Sequence, residues 1–167
     1  MMGRVNAAIA AVLLGQLGPQ MAQAGEIWPG CYERVYSDAH LAKHPKQVVK
    51  VIRLQVGEWL SDTDRAGKMQ VIPANQGHVR GTGLAGQSLS QFLLCSQRGD
   101  TPVCQVECDG GSLELTKQDN TSLTFRTRYL MVGDNEECGG VMDLAEVQNQ
   151  WVKYRLNRVQ ASACDGM

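Results

Sequence analysis

No segment after residue 24 is apolar enough to span a bilayer, which excludes a helical membrane protein. Positive charge is not in excess, since 16 Lys and Arg stand against 17 Asp and Glu, and no long run of one sign occurs. Nucleic acid and anionic membranes therefore gain no electrostatic attraction. There is no internal repeat, no Ser/Pro-rich linker and no low-complexity tract, so nothing divides the chain into separate domains.

Catalytic and metal signatures are missing too. No serine lies in a G-x-S-x-G setting. His40 and His44 have the i, i+4 spacing of a metal-binding helix, but Leu41-Ala42-Lys43 stands where H-E-x-x-H needs its glutamate, and no third ligand is near. Two exposed histidines and no metal are expected. His78 stands alone in a glycine-rich loop. Asp62-Thr63-Asp64 with Gly67 opens like a calcium loop, but Pro73 occupies the twelfth position, so a hairpin turn is expected. Arg98-Gly99-Asp100 is turn composition as well. Glu107 and Asp109 flank Cys108 on one side of an expected strand and are read as solvent-facing carboxylates.

What is present begins at the first residues. Arg4, an apolar run from Ala7 to Leu17, the breaker Gly18-Pro19 and the small-x-small Ala22-Gln23-Ala24 form an export signal with cleavage expected after Ala24. The remaining residues, 25–167, number 143 and suit one domain. Loss of Arg4 leaves 15 basic and 17 acidic residues, a charge of −2.

All six cysteines lie in that part. In an exported chain an even count reads as three disulfides. Only Cys104 and Cys108 are close in sequence, and no second close Cys/His pair completes a zinc site. Six cysteines permit fifteen pairings. The favoured pairing ties Cys31 to Cys164, and Cys95 pairs with Cys104 or Cys108. The working set is Cys31–Cys164, Cys95–Cys104 and Cys108–Cys138.

Period-two alternation dominates the middle of the chain. In VIRLQV, Ile52, Leu54 and Val56 share a face. In SLTFRTRYLMV, Leu123, Phe125, Tyr129 and Met131 oppose Arg126 and Arg128. In WVKYRLNRV, Val152, Tyr154 and Leu156 oppose Lys153, Arg155 and Asn157. CQVECDGGSLEL places Cys104, Val106 and Cys108 on one face. Ser37 caps a short helix, DAHLAKH, that Pro45 ends, and Asp143 with Glu146 resembles the capping box of a second, with Met142 and Val147 as its staple. The expected fold is all-β: a small closed or nearly closed antiparallel barrel of about eight strands with one or two short helices, or alternatively a β-sandwich.

GEIWPGCYERVY, followed by a helical connection and a string of hairpins, resembles the calycin group of small barrels, which includes lipocalins and avidin-like proteins. The resemblance implies a barrel in which Trp28 packs under a basic residue of the last strand, Arg155 or Arg158. Two residues separate Gly25 from Trp28, so the strict G-x-W of lipocalins is absent. CQVECDGGSLELT is similar to segments of uncharacterised exported bacterial proteins and to the cysteine-containing strand of small periplasmic lysozyme inhibitors.

The stretch GTGLAG fits G-x-G-x-x-G through Gly81, Gly83 and Gly86. A dinucleotide fingerprint must follow a buried strand and open a helix. Here polar NQGHVR precedes it and a strand follows, so the glycines are read as a positive-φ loop that gates a barrel mouth. No cofactor is expected. Together these features suggest a non-catalytic periplasmic or secreted binding module. It would carry a small apolar molecule in or at the mouth of the barrel, against Trp28, Tyr32, Phe125, Tyr129 and Tyr154. The alternative is a protein-binding inhibitor of a cell-wall-degrading enzyme or protease; a hydrolase is the third reading.

Overall fold

The computed structural model describes residues 27, 29–133 and 140–167. Eight antiparallel strands close into a barrel: β1 (Gly30–Val35), β2 (Val49–Trp59), β3 (Asp64–Pro73), β4 (Leu89–Arg98), β5 (Thr101–Gln105), β6 (Gly111–Gln118), β7 (Ser122–Val132) and β9 (Val152–Val159). Each pairs with the next, and β9 returns to β1 through Cys31 opposite Val159, so no barrel strand keeps an open edge. A two-residue strand, β8 (Met142–Asp143), adds to the end of β7.

The alternation read from the sequence fills the barrel. Ile52, Leu54, Leu93, Leu113, Phe125 and Leu156 point inward and are fully buried. Tyr32 is buried with them, and its hydroxyl accepts from Gln118 Nε2 at 2.9 Å. The Phe125 and Tyr154 rings meet at 5.3 Å, and the Tyr154 hydroxyl donates to the Leu144 carbonyl at 2.9 Å.

Cys31 is bonded to Cys164, joining the first strand to the last turn of the chain, and Cys95 to Cys104, which face each other across the β4–β5 hairpin closed by Gly99 and Asp100. Cys108 is also disulfide-bonded, while Cys138 lies outside the described residues. Such bonds belong to an oxidising compartment. Among the described residues no helix is long and apolar enough to cross a membrane.

Three local expectations are corrected. Val106 to Gly110 is a turn between β5 and β6, not strand, because Cys108 and Asp109 take left-handed conformations, at φ 54° and 59°. Asp143 opens no helix: its Oδ1 accepts from the backbone of Leu130 and Ala145, both at 3.0 Å, and so fixes β8 to β7. Tyr129 is on the outer face, 43% exposed. Between Glu114–Arg126 and Ser112–Tyr129 the ladder advances two residues on β6 and three on β7, a bulge that inverts the alternation and turns Leu130 and Val132 inward.

Helix α1 (Asp38–Lys43) is capped as expected, with Ser37 Oγ accepting from the His40 backbone N–H at 3.2 Å. At the β6–β7 turn, Asp119 Oδ1 accepts from the Thr121 hydroxyl at 2.7 Å and from the Thr121 and Ser122 backbone at 2.8 Å. These bonds, the Thr121 hydroxyl first, lower its pKa from 3.8 to about 2. The folded chain thus holds this proton less tightly than the unfolded chain does. The stabilisation is complete above the ordinary carboxylate range and disappears as pH falls toward 2. An NMR titration of Asp119 is expected to show that low midpoint, and Asp119→Ala to make acid unfolding less steep.

Candidate functional site at the loop-bearing end

An up-and-down barrel sends alternate connections to opposite ends. At one end lie short turns, 60–63, 99–100 and 119–121, together with the Cys31–Cys164 staple. At the other end gather the connections that follow β1, β3, β5 and β7, among them α1 and the GTGLAG loop.

Three of these connections pack into one unit. Gln76 Nε2 donates to the carbonyls of Leu41 and His44, at 3.3 and 2.7 Å, and so satisfies the C-terminal end of α1. Gly77 follows with φ +58°, and a Cβ there would stand 2.7 Å from the Lys46 carbonyl oxygen. Only glycine admits this approach of the β3–β4 connection to the β1–β2 connection. A cleft of about 620 Å³ results, with Lys46, Gly77 and His78 on one side and Asp143, Ala145, Glu146, Val147 and Gln148 on the other.

Behind it the histidines of α1 form part of a stack. His40 lies 4.2 Å from His44 and 4.8 Å from Tyr36, and Arg34 packs over Tyr36 at 5.1 Å. His40 Nε2 hydrogen-bonds Gln47 Oε1 at 2.9 Å, and Gln47 in turn donates to the Val49 carbonyl. His40 is thus half-buried in the packing of this end, whereas His44 stacks on it and is exposed, as expected. Among the described residues no group of three His, Cys, Asp or Glu is placed to hold a metal.

Glu146, which the sequence offers only as the partner of Asp143 in a capping box, lines this cleft instead. It is half-buried, and burial pushes its pKa up against the opposing pull of His44 and His40. Burial likewise raises the Tyr36 phenol, with Arg34 opposing, and holds Tyr154 well above the ordinary tyrosine range. The end thus combines phenols that stay protonated with a carboxyl that protonates readily. A carboxyl that binds its proton more tightly when folded favours the fold as pH falls through its raised pKa, and costs stability above it. Glu146→Gln is therefore expected to raise the melting temperature at neutral pH and to leave it unchanged near about pH 4, a difference that melting curves across that range measure.

The remaining sequence-predicted residues do not converge here. Tyr32, Phe125 and Tyr154 lie along the packed interior and Tyr129 outside, while Trp28 falls outside the described residues. Gly81, Gly83 and Gly86 have φ +77°, +81° and +77° with open space about each, in a loop that leads into β4. Arg158 Nη2 donates to the Pro29 carbonyl at 3.2 Å, while Arg155 faces outward. Glu107 and Asp109 are exposed beside Cys108, and Asp109, Gln105 and Arg98 line a second cleft of about 390 Å³.

Comparison with protein families, with curated proteins and with solved structures finds no match to this chain.

Proposed function

We propose that this protein is an exported binding module that engages another protein at its loop-bearing end, and that it does not carry an apolar molecule along its axis. One observation carries this reading. The barrel axis is occupied by fully buried side chains, Tyr32, Phe125 and Tyr154 among them, while the longest connections and the larger of the two clefts described above gather at one end. A lipocalin-like carrier needs the opposite distribution, an empty apolar interior beneath a mouth. The sequence of residues 1–24 supports passage through a membrane by a cleaved signal, into a periplasm or the medium. The single domain of residues 25–167 then meets its partner there, and the disulfides suit that compartment.

The test has two arms. Titration with a fluorescent apolar probe such as anilinonaphthalene sulfonate should give no saturable one-to-one binding. A photo-crosslinking residue at His78, incorporated in the exporting cell, should yield a discrete protein adduct, whereas one at Thr63 on the opposite end should not. Stoichiometric uptake of the probe into the interior, with no adduct at residue 78, overturns the proposal in favour of the carrier.

A further inference from the structure

Outside the barrel, on the wall formed by β7 and β9, three cations stand without a carboxylate among the described residues. Arg126 lies opposite Lys153 and Thr124 opposite Arg155, all outward-facing. Trp151, 47% exposed, begins this wall at the loop-bearing end, and Arg126 and Arg128 pack over its ring at 4.5 and 5.5 Å. Among the described residues only Arg126 of this wall has an acidic partner, Glu114 at 2.7 Å. Arg128, Lys153 and Arg155 make no ion pair or side-chain hydrogen bond with any described residue. This concentration of positive charge sits in a chain whose acidic residues outnumber its basic ones.

We propose that this wall is the docking surface for a carboxylate-rich segment of a partner protein. The inference rests on the partner-binding reading above. Three physical arguments select the ligand chemistry. A guanidinium held over an indole is pre-oriented; the N–H edge of Arg126 is taken by Glu114, and that of Arg128 is left to meet a carboxylate in a bidentate pair. The stacked guanidinium groups occupy the ring surface on which a sugar or a base would stack, which disfavours glycan and nucleic acid. Glu114 already answers Arg126, so the unanswered charges on this wall are those of Arg128, Lys153 and Arg155, and a further anion is what they lack among the described residues. Exposed Trp and Arg also belong to the side-chain set that dominates protein interfaces, and exposed Tyr129 follows Arg128 on the same strand.

The experiment uses fluorescein-labelled decaglutamate as the probe and follows its anisotropy with the full exported protein. Saturable binding is expected at low salt, weakening steeply as salt is added. Arg128→Glu with Lys153→Glu should weaken it by about tenfold or more, while Lys68→Glu, on the opposite wall, should change it by less than about twofold. If the double charge reversal does not fold by circular dichroism, Lys153→Gln alone should still weaken binding about threefold. Equal affinity in wild type and charge-reversed protein, or no saturable binding, overturns the proposal. So does tighter binding of heparin fragments or anionic phosphatidylglycerol vesicles with the same sensitivity to the variants, which assigns the wall to a glycan or a membrane. Photo-crosslinkers at residues 153 and 78 separate this proposal from the reading it rests on. An adduct at 78 without one at 153 sinks the wall and leaves the partner-binding module. Adducts at neither sink both.

Discussion

Replacing Cys31 and Cys164 together by alanine is expected to lower the stability of the fold by about 5 kcal/mol if the bond acts through the entropy of the unfolded chain. The estimate follows from the 133 residues that separate the two cysteines, the longest loop of the two disulfides described. In the unfolded protein this bond ties nearly the whole chain into a ring, and loop-closure entropy grows with loop length, if slowly. In the folded protein it joins β1 to the turn that follows β9, at the place where the barrel closes. For a domain of this size the loss corresponds to a fall in melting temperature of roughly 10–20 °C. Breaking Cys95–Cys104 in the same way costs less, because its cysteines are only 9 residues apart and face each other within one hairpin. Urea unfolding of the two double variants beside the wild type measures the difference. Equal losses would show that strain or residual unfolded structure outweighs loop length.

Phe125→Ala produces the other large effect. Phe125 is fully buried and its ring meets that of Tyr154, tilted, at 5.3 Å inside the barrel. Its truncation removes apolar contact area and leaves a cavity that a sheet closed on itself cannot collapse, at a cost of about 3–5 kcal/mol. The variant also tests the filled interior directly. The new cavity borders the Tyr154 ring within the buried apolar core, and such apolar cavities accept small apolar molecules. Benzene or a similar probe is expected to raise the melting temperature of Phe125→Ala and not that of the wild type. Stabilisation of the wild type by the same probe would reveal apolar space that the packing of Tyr32, Phe125 and Tyr154 leaves no room for.

Much of the barrel was legible in the sequence because a strand with one buried face writes itself as alternation. Ile52, Leu54 and Val56 on β2, and Tyr154 and Leu156 on β9, are buried as that rule requires. Ser37 and Pro45 marked the helix because capping and termination are local acts of one residue each. The bulge in β7 was not legible. One extra residue inverts every later side chain, and neither Arg128 nor Tyr129 announces where it falls. Asp143 misled for a related reason: an aspartate side chain that accepts backbone N–H groups serves a turn as well as a helix start, and only the arrival of Leu130 decides between them. The cleft was hidden because its walls come from three connections far apart in the chain, brought together by Gly77 and Gln76. Trp151 with its two arginines was hidden likewise, since strand register rather than sequence spacing places Arg126 and Arg128 beside it.

The seam between β1 and β9 has a consequence for the order of events during biosynthesis. The first strand of the sheet finds its second neighbour only when residues 152–159, the last barrel strand in chain order, exist. Until then the nascent sheet keeps two bare edges and no enclosed centre, so tight packing must wait for the eighth barrel strand. A polypeptide built this way stays threadable until that strand is made, which is the state a translocation pore requires.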